Sequence, residues 1–272
     1  MTRTARPSRQ KESAILPVAL LLGSFFVIGL LYQFWIRPEA AATQARNAAA
    51  SVEGALVAET NLATILVDAE QQVCLSLFLW AGLLMMSKFR EISRERIQPD
   101  WPFEDLEEGE RILPDTALDL AKASARAVAA IPGAAPTLMA RAVQRCLHRF
   151  HATASVQETS QAVQELADSE SNRLDSEMAV IRYTAWAIPS IGFIGTVRGI
   201  GQALARADEA IQGDVSGVTA ALGTAFNSTF VALVLSIFLM LGVYTLQRRQ
   251  EAHVLAVENF CRDHLIEKMK SV

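Results

Sequence analysis

No glycine-rich loop of the form G-x-x-x-x-G-K followed by Ser or Thr occurs in the 272 residues, so the chain does not draw energy from nucleotide through a P-loop. Cysteine and histidine are scarce. Cys74, Cys146 and Cys261 offer neither a disulfide framework nor a metal-ligand spacing. Of the four histidines only His148 and His151 stand at an i, i+3 spacing, and they would need further ligands to hold a metal, so they read as a solvated helix face. No grouping of nucleophile, base and orienting residue stands out, so the expectation is a non-enzyme with no catalytic residues, no metal and no cofactor.

Charge is the most informative absence. The intervals 13–36, 71–87 and 215–247 carry no charged side chain, and 183–205 carries only Arg198. The last of the uncharged runs is 33 residues long, well beyond the roughly 20 residues that cross a bilayer. With 51% apolar residues and the charge gathered between these runs, the fold class is an all-α integral membrane protein with four transmembrane helices. Asp and Glu are missing from all four predicted spans, with Asp68, Glu70 and Asp214 at one boundary. Ion relays within lipid normally need a carboxylate, so one would have to come from another polypeptide.

Lys and Arg fix an expected orientation. If the N-terminus is cytoplasmic, segments 1–12, 88–182 and 248–272 face inward and hold 21 of the 25 basic residues, and only Arg37, Arg46, Arg198 and Arg206 lie elsewhere. Segments 37–70 and 206–214 then face outward, the first an alanine-rich helical arm and the second a short loop. The N-terminal run resembles a secretory signal, but its 23 apolar residues, 14–36, exceed a signal core of about 7 to 15, which favours an uncleaved anchor.

The inner region opens with the proline-punctuated stretch IQPDWPFEDLEEGERILPD, expected to wrap along the surface without regular structure. Two shorter helices are expected at about 116–131 and 137–151, split by PGAAP. From about Ser155 a polar helix runs into the third span without Gly or Pro, and the fourth span runs on past Arg248 and Arg249 without a breaker. The last two spans should therefore extend into the cytoplasm, beside a helical cytoplasmic region.

Two motifs carry the functional signal. In WAIPSIGFIGTVRGIG, Gly192, Gly195 and Gly199 remove side chains where another helix could approach closely, and Thr196 stands among them. In GTAFNST, Gly223 adds a further packing position, and Thr224, Asn227 and Ser228 project from one side of a helix. Singly, such hydroxyls often bond their own helix carbonyls. On adjacent spans they form two polar stripes, a candidate ion pathway.

The stretch IRYTAWAIPSIGFIGTVRGIG, together with AFNSTFVALVLSIFLM, resembles the MotA/TolQ/ExbB family of proton-channel and stator subunits over about residues 155–250. The resemblance implies a pentamer of this chain around two copies of a single-span protein like MotB, ExbD or TolR, each bringing a membrane aspartate. It also implies the bacterial inner membrane, with no nucleic acid as a partner. Ion passage would be coupled to rotation, with Thr196 and Thr224 at the positions of the family's pore-lining hydroxyls. Arg198 departs from the family pattern, which has an apolar or aromatic residue there. It is expected either to gate the outer mouth or to anchor at the interface, pairing with Asp208, Glu209 or Asp214. The alternative function is a non-conducting membrane scaffold that recruits partners through its cytoplasmic helices.

Overall fold

The computed structural model describes residues 8–52, 61–95, 101–103, 111–130, 137–213 and 215–270. Its helices are α1 (Ser8–Leu31), α2 (Arg37–Val52), α3 (Leu62–Ile65), α4 (Ala69–Arg94), α5 (Pro114–Ala129), α6 (Leu138–Thr153), α7 (Val156–Ala205), α8 (Ala207–Ile211) and α9 (Ser216–His264). Among the described residues the only extended pairing is a single bridge between Ile112 and Met269. Four helical stretches are long and apolar enough to cross a membrane: Leu16–Asn47, Ala69–Arg94, Val156–Ala205 and Ser216–Lys268. The four charge-poor intervals fall inside them to within a few residues.

The chain divides into two compact units, residues 1–86 with 180–243 and residues 87–179 with 244–272. In the first unit α1 passes into α2 through a π-helical turn, Tyr32–Ile36. The wider turn puts Tyr32 and Ile36 on the same side as Ile28, and these three form a small core against Leu66, Leu75 and Leu79. Trp80 of α4 ties the helices together by donating its indole N–H to the Pro17 carbonyl at 2.8 Å. At the far end Asn61 and Thr64 cap α3 reciprocally, and Asn61 also donates to Thr43 of α2 at 2.8 Å. Large apolar side chains such as Phe26, Phe34, Phe193, Phe230 and Phe238 are more than half exposed. So much outward apolar surface suits lipid or neighbouring chains rather than water.

The second unit has the opposite arrangement, with its apolar residues inside. α5 begins at Pro114, where the missing N–H costs nothing in a first helical turn. Thr137 caps α6 by accepting from the Ala140 N–H, and Ala154 in the left-handed region ends it. Val143, Leu147 and Phe150 of α6 pack with Ala117 and Ala121 of α5, Val163 of α7, and Val257, Cys261 and Leu265 of the α9 end. The proline-punctuated stretch differs from its expected unpacked course in the parts described. Trp101, Phe103 and Ile112 are buried in this core, and Ile112 is held by backbone bonds to Lys268 and Lys270 at 2.8 and 3.1 Å. Their apolar side chains outweigh the acidic composition around them, because burying one aromatic returns about 1.5–3 kcal/mol.

Candidate functional site

In the first unit α7 and α9 meet over small residues. Gly192, Gly195 and Gly199 are all buried. A Cβ placed on Gly199 would lie 2.6 Å from Ala225 Cβ and 2.9 Å from its Cα, and one on Gly195 would lie 2.7 Å from Ser228 Cβ. One on Gly192 would lie 3.2 Å from the Ser228 carbonyl oxygen and overlap Ala232. Without side chains at these three places the two backbones can touch, which is how helices associate where hydrophobic drive is lacking. Gly223 is different: a Cβ there would meet nothing within 4 Å in the chain.

Thr196 projects into this contact. Its Oγ1 bonds to the Gly192 carbonyl one turn back at 3.3 Å, the ordinary use of a helical threonine. It also reaches across to the Ala225 carbonyl at 3.3 Å and pairs with the hydroxyl of Thr229. Thr229 in turn donates to the Gly192 carbonyl at 3.0 Å. Two carbonyl and two hydroxyl oxygens thus share only two hydroxyl protons. Lone pairs are in surplus, and such a cluster can accept from a protonated carboxyl or coordinate a small cation.

Thr229 lay outside the candidate pathway read from the sequence. Its signal was its spacing, four residues after Ala225 and three before Ala232, which puts it on the small-residue face of α9. Thr224 and Asn227 are half-buried and make no bond to Thr196. Ser228 is buried against Gly195, and its hydroxyl has no hydrogen-bond partner among the described residues. Of the motif's polar side chains, Thr229 is thus the one seen bonded across to α7 among the described residues.

A second feature follows from Pro189, which lies within α7. Proline has no N–H to give the carbonyl of Ala185, four residues back. Ser236 of α9 supplies the missing donor at 3.1 Å. A polar bond between helices is thus built into an apolar stretch.

Arg198 has partners other than those expected. Its guanidinium bonds Asp68 at 3.4 Å and lies 2.8 Å from Glu70 Oε2, a charge contact rather than an aligned hydrogen bond. Asp208 and Glu209 do not take this role, and Asp214 lies outside the described residues. The acids come from the start of α4, far away in sequence, so no local pattern around Arg198 could reveal them. Burial pushes the Asp68 carboxyl above its usual range and Glu70 adds to this, while Arg198 opposes both. Among the described residues no three of His, Cys, Asp and Glu are grouped as a metal would need.

Four membrane-length helices, two of them joined through glycines around an oxygen-rich cluster, define a multi-pass membrane protein with a polar site inside its apolar part. Residues 134–259 match the model of the MotA/TolQ/ExbB proton channel family. The match begins before α6 and ends near the end of α9, so it is wider than the two motif-bearing spans and includes much of the second unit. Helices α1 to α5 fall outside it. No curated protein and no solved structure matched the chain.

Proposed function

We propose that this chain is the ion-conducting subunit of a membrane stator which, with a single-span, aspartate-bearing partner, couples proton or sodium motive force to rotation and mechanical work. The observation that carries this reading is the oxygen cluster of Thr196, Thr229 and the Gly192 and Ala225 carbonyls, none of whose members is a carboxylate. A partner carboxylate, neutralised on the outer side, would pass this cluster and Thr224 before releasing its ion inward. One charge crossing ~100 mV makes ~2.3 kcal/mol available. Five copies around two partner spans would turn successive releases into steps of rotation, in the bacterial inner membrane with both termini cytoplasmic.

The test is native mass spectrometry of the complex purified in mild detergent, with the chain's chromosomal neighbours co-expressed. Five copies with two copies of a single-span, aspartate-bearing protein are expected. An assembly without such a partner would leave the hydroxyl cluster with no moving carboxylate to pass it and would favour the scaffold function instead.

A further inference from the structure

The surroundings of Glu70 hold more than a clasp between helices. Asp68, Glu70 and Arg198 place two carboxylates against one guanidinium, so the group carries one uncompensated negative charge. The aligned hydrogen bond from Arg198 goes to Asp68, while the buried Oε2 of Glu70 has none. Glu70 is also the more enclosed acid, its side chain 13% exposed. Its stem approaches Gly195, where an added Cβ would meet Glu70 Cγ at 3.5 Å and overlap the Ser228 hydroxyl. That hydroxyl belongs to a residue only 2% exposed and is itself unpartnered. Gly195 therefore leaves a spot approached from one side by the stem of Glu70 and from the other helix by the buried Ser228 hydroxyl, with Gly195 and Ser228 each one residue along from Thr196 and Thr229.

Resting on the stator function above, we propose that Glu70 is a proton-exchange site on this subunit, held by Arg198, which it shares with Asp68, and close to Gly195, and that it loads the path before any carboxylate of a partner is reached. The chemistry balances. Glu70 takes a proton from a hydronium ion on the outer side, whose O–H bond breaks to leave water as the carboxyl O–H forms, and the three-residue group becomes neutral. It then gives that proton up to the partner's carboxylate and returns to its anionic form. Among the described residues, the further titratable groups coupled to these acids are Tyr32 of the π turn, beside Asp68, and Cys74, one turn along α4 from Glu70. Ser228, able to donate and accept, shares the space at Gly195 with the Glu70 stem and precedes Thr229 on α9.

The test uses the whole complex with its partner in vesicles of phosphatidylethanolamine and phosphatidylglycerol, under a potassium diffusion potential, with an internal pH-sensitive dye. Glu70→Gln is expected to assemble normally and lower proton flux at least tenfold, and Glu70→Asp to retain most of it. Arg198→Gln removes the opposing charge, so the external pH of half-maximal flux should rise, a shift that a purely structural clasp would not produce. Glu70→Gln with wild-type flux, an unmoved pH profile in Arg198→Gln, or flux that follows sodium instead of protons would overturn the proposal. If Glu70→Gln fails to assemble, the neutral pair Glu70→Gln with Arg198→Gln decides. Restored assembly without flux supports the exchange site, whereas restored flux or continued failure to assemble assigns the group to packing. A wild-type complex that passes no ions would remove the stator function itself, whereas conduction unaffected by Glu70→Gln would remove only the exchange site.

Discussion

Thr229 and Thr224 separate two uses of a hydroxyl in an apolar helix. Both stand in GTAFNST, yet only Thr229 bonds across to Thr196 and the Gly192 carbonyl. Thr229→Val keeps the shape and deletes a hydroxyl whose hydrogen bonds contribute about 0.5–1.5 kcal/mol. Ion flux through the assembled complex should fall roughly tenfold, as a barrier change near 1.4 kcal/mol gives. Thr224→Val leaves the oxygen cluster intact, so its effect reports only on a passing partner. Flux assays on both variants in the same vesicles check this. Equal, wild-type rates would remove the hydroxyls from the path.

At the scale of elements, the α7–α9 pair depends on two devices of different physical kind. The first is close approach. Gly195→Leu would drive a branched side chain into Ser228 and its backbone neighbourhood, and overpacking of this sort costs about 1–3 kcal/mol or more. The amount of assembled complex on size-exclusion chromatography should drop sharply. Gly201→Ala, where a Cβ meets nothing within 4 Å, should leave it unchanged. The second device is the donor that Ser236 gives to the carbonyl freed by Pro189. Ser236→Ala would orphan that carbonyl in an apolar setting, at a cost of about 1–3 kcal/mol, and should lower the thermal midpoint in detergent. The bond joins α7 and α9, the two helices that carry the oxygen cluster.

At the scale of the whole molecule, two units are stabilised by different means. The first turns apolar side chains outward and uses glycine contacts and a few buried polar bonds. The second has an aliphatic and aromatic core bordered by ion pairs, of which Glu170 is the most enclosed member, its side chain 6% exposed between Arg173 at 2.5 Å and Arg141 at 3.1 Å. Burial alone would raise the Glu170 carboxyl, but the hydrogen bonds and charges of the two arginines outweigh it and hold it below the usual range. A lowered folded value means that the stabilisation is full above the unfolded value, about 4.3, and is lost as pH falls through the folded one. Both arginines are about two-fifths exposed, so solvent screening limits the contribution to about 1 kcal/mol. Glu170→Gln should melt earlier than wild type at pH 7, and the gap should close on acidification towards pH 3. A gap that persists there would mean packing, not charge, accounts for the loss.

The sequence by itself determined the elements. Long uncharged runs leave a chain no route but helix through an apolar phase, because every backbone donor and acceptor must be paired within the segment. Gly192, Gly195, Gly199 and Thr196 were legible for the same reason, since helical spacing puts them on adjoining faces whatever lies opposite. What lies opposite was decided only by tertiary structure. Arg198 meets acids 130 and 128 residues away rather than those in the neighbouring loop, Thr196 pairs with Thr229 rather than Thr224, and Trp101 and Phe103 are drawn from an acidic stretch into a core. Each of these depends on how far one helix slides and turns against another. A shift of one residue along α9 would rotate the facing side chain by about 100°, given 3.6 residues per turn. Local pattern sets the period of a face, while its register comes from where the glycines and alanines allow two backbones to touch.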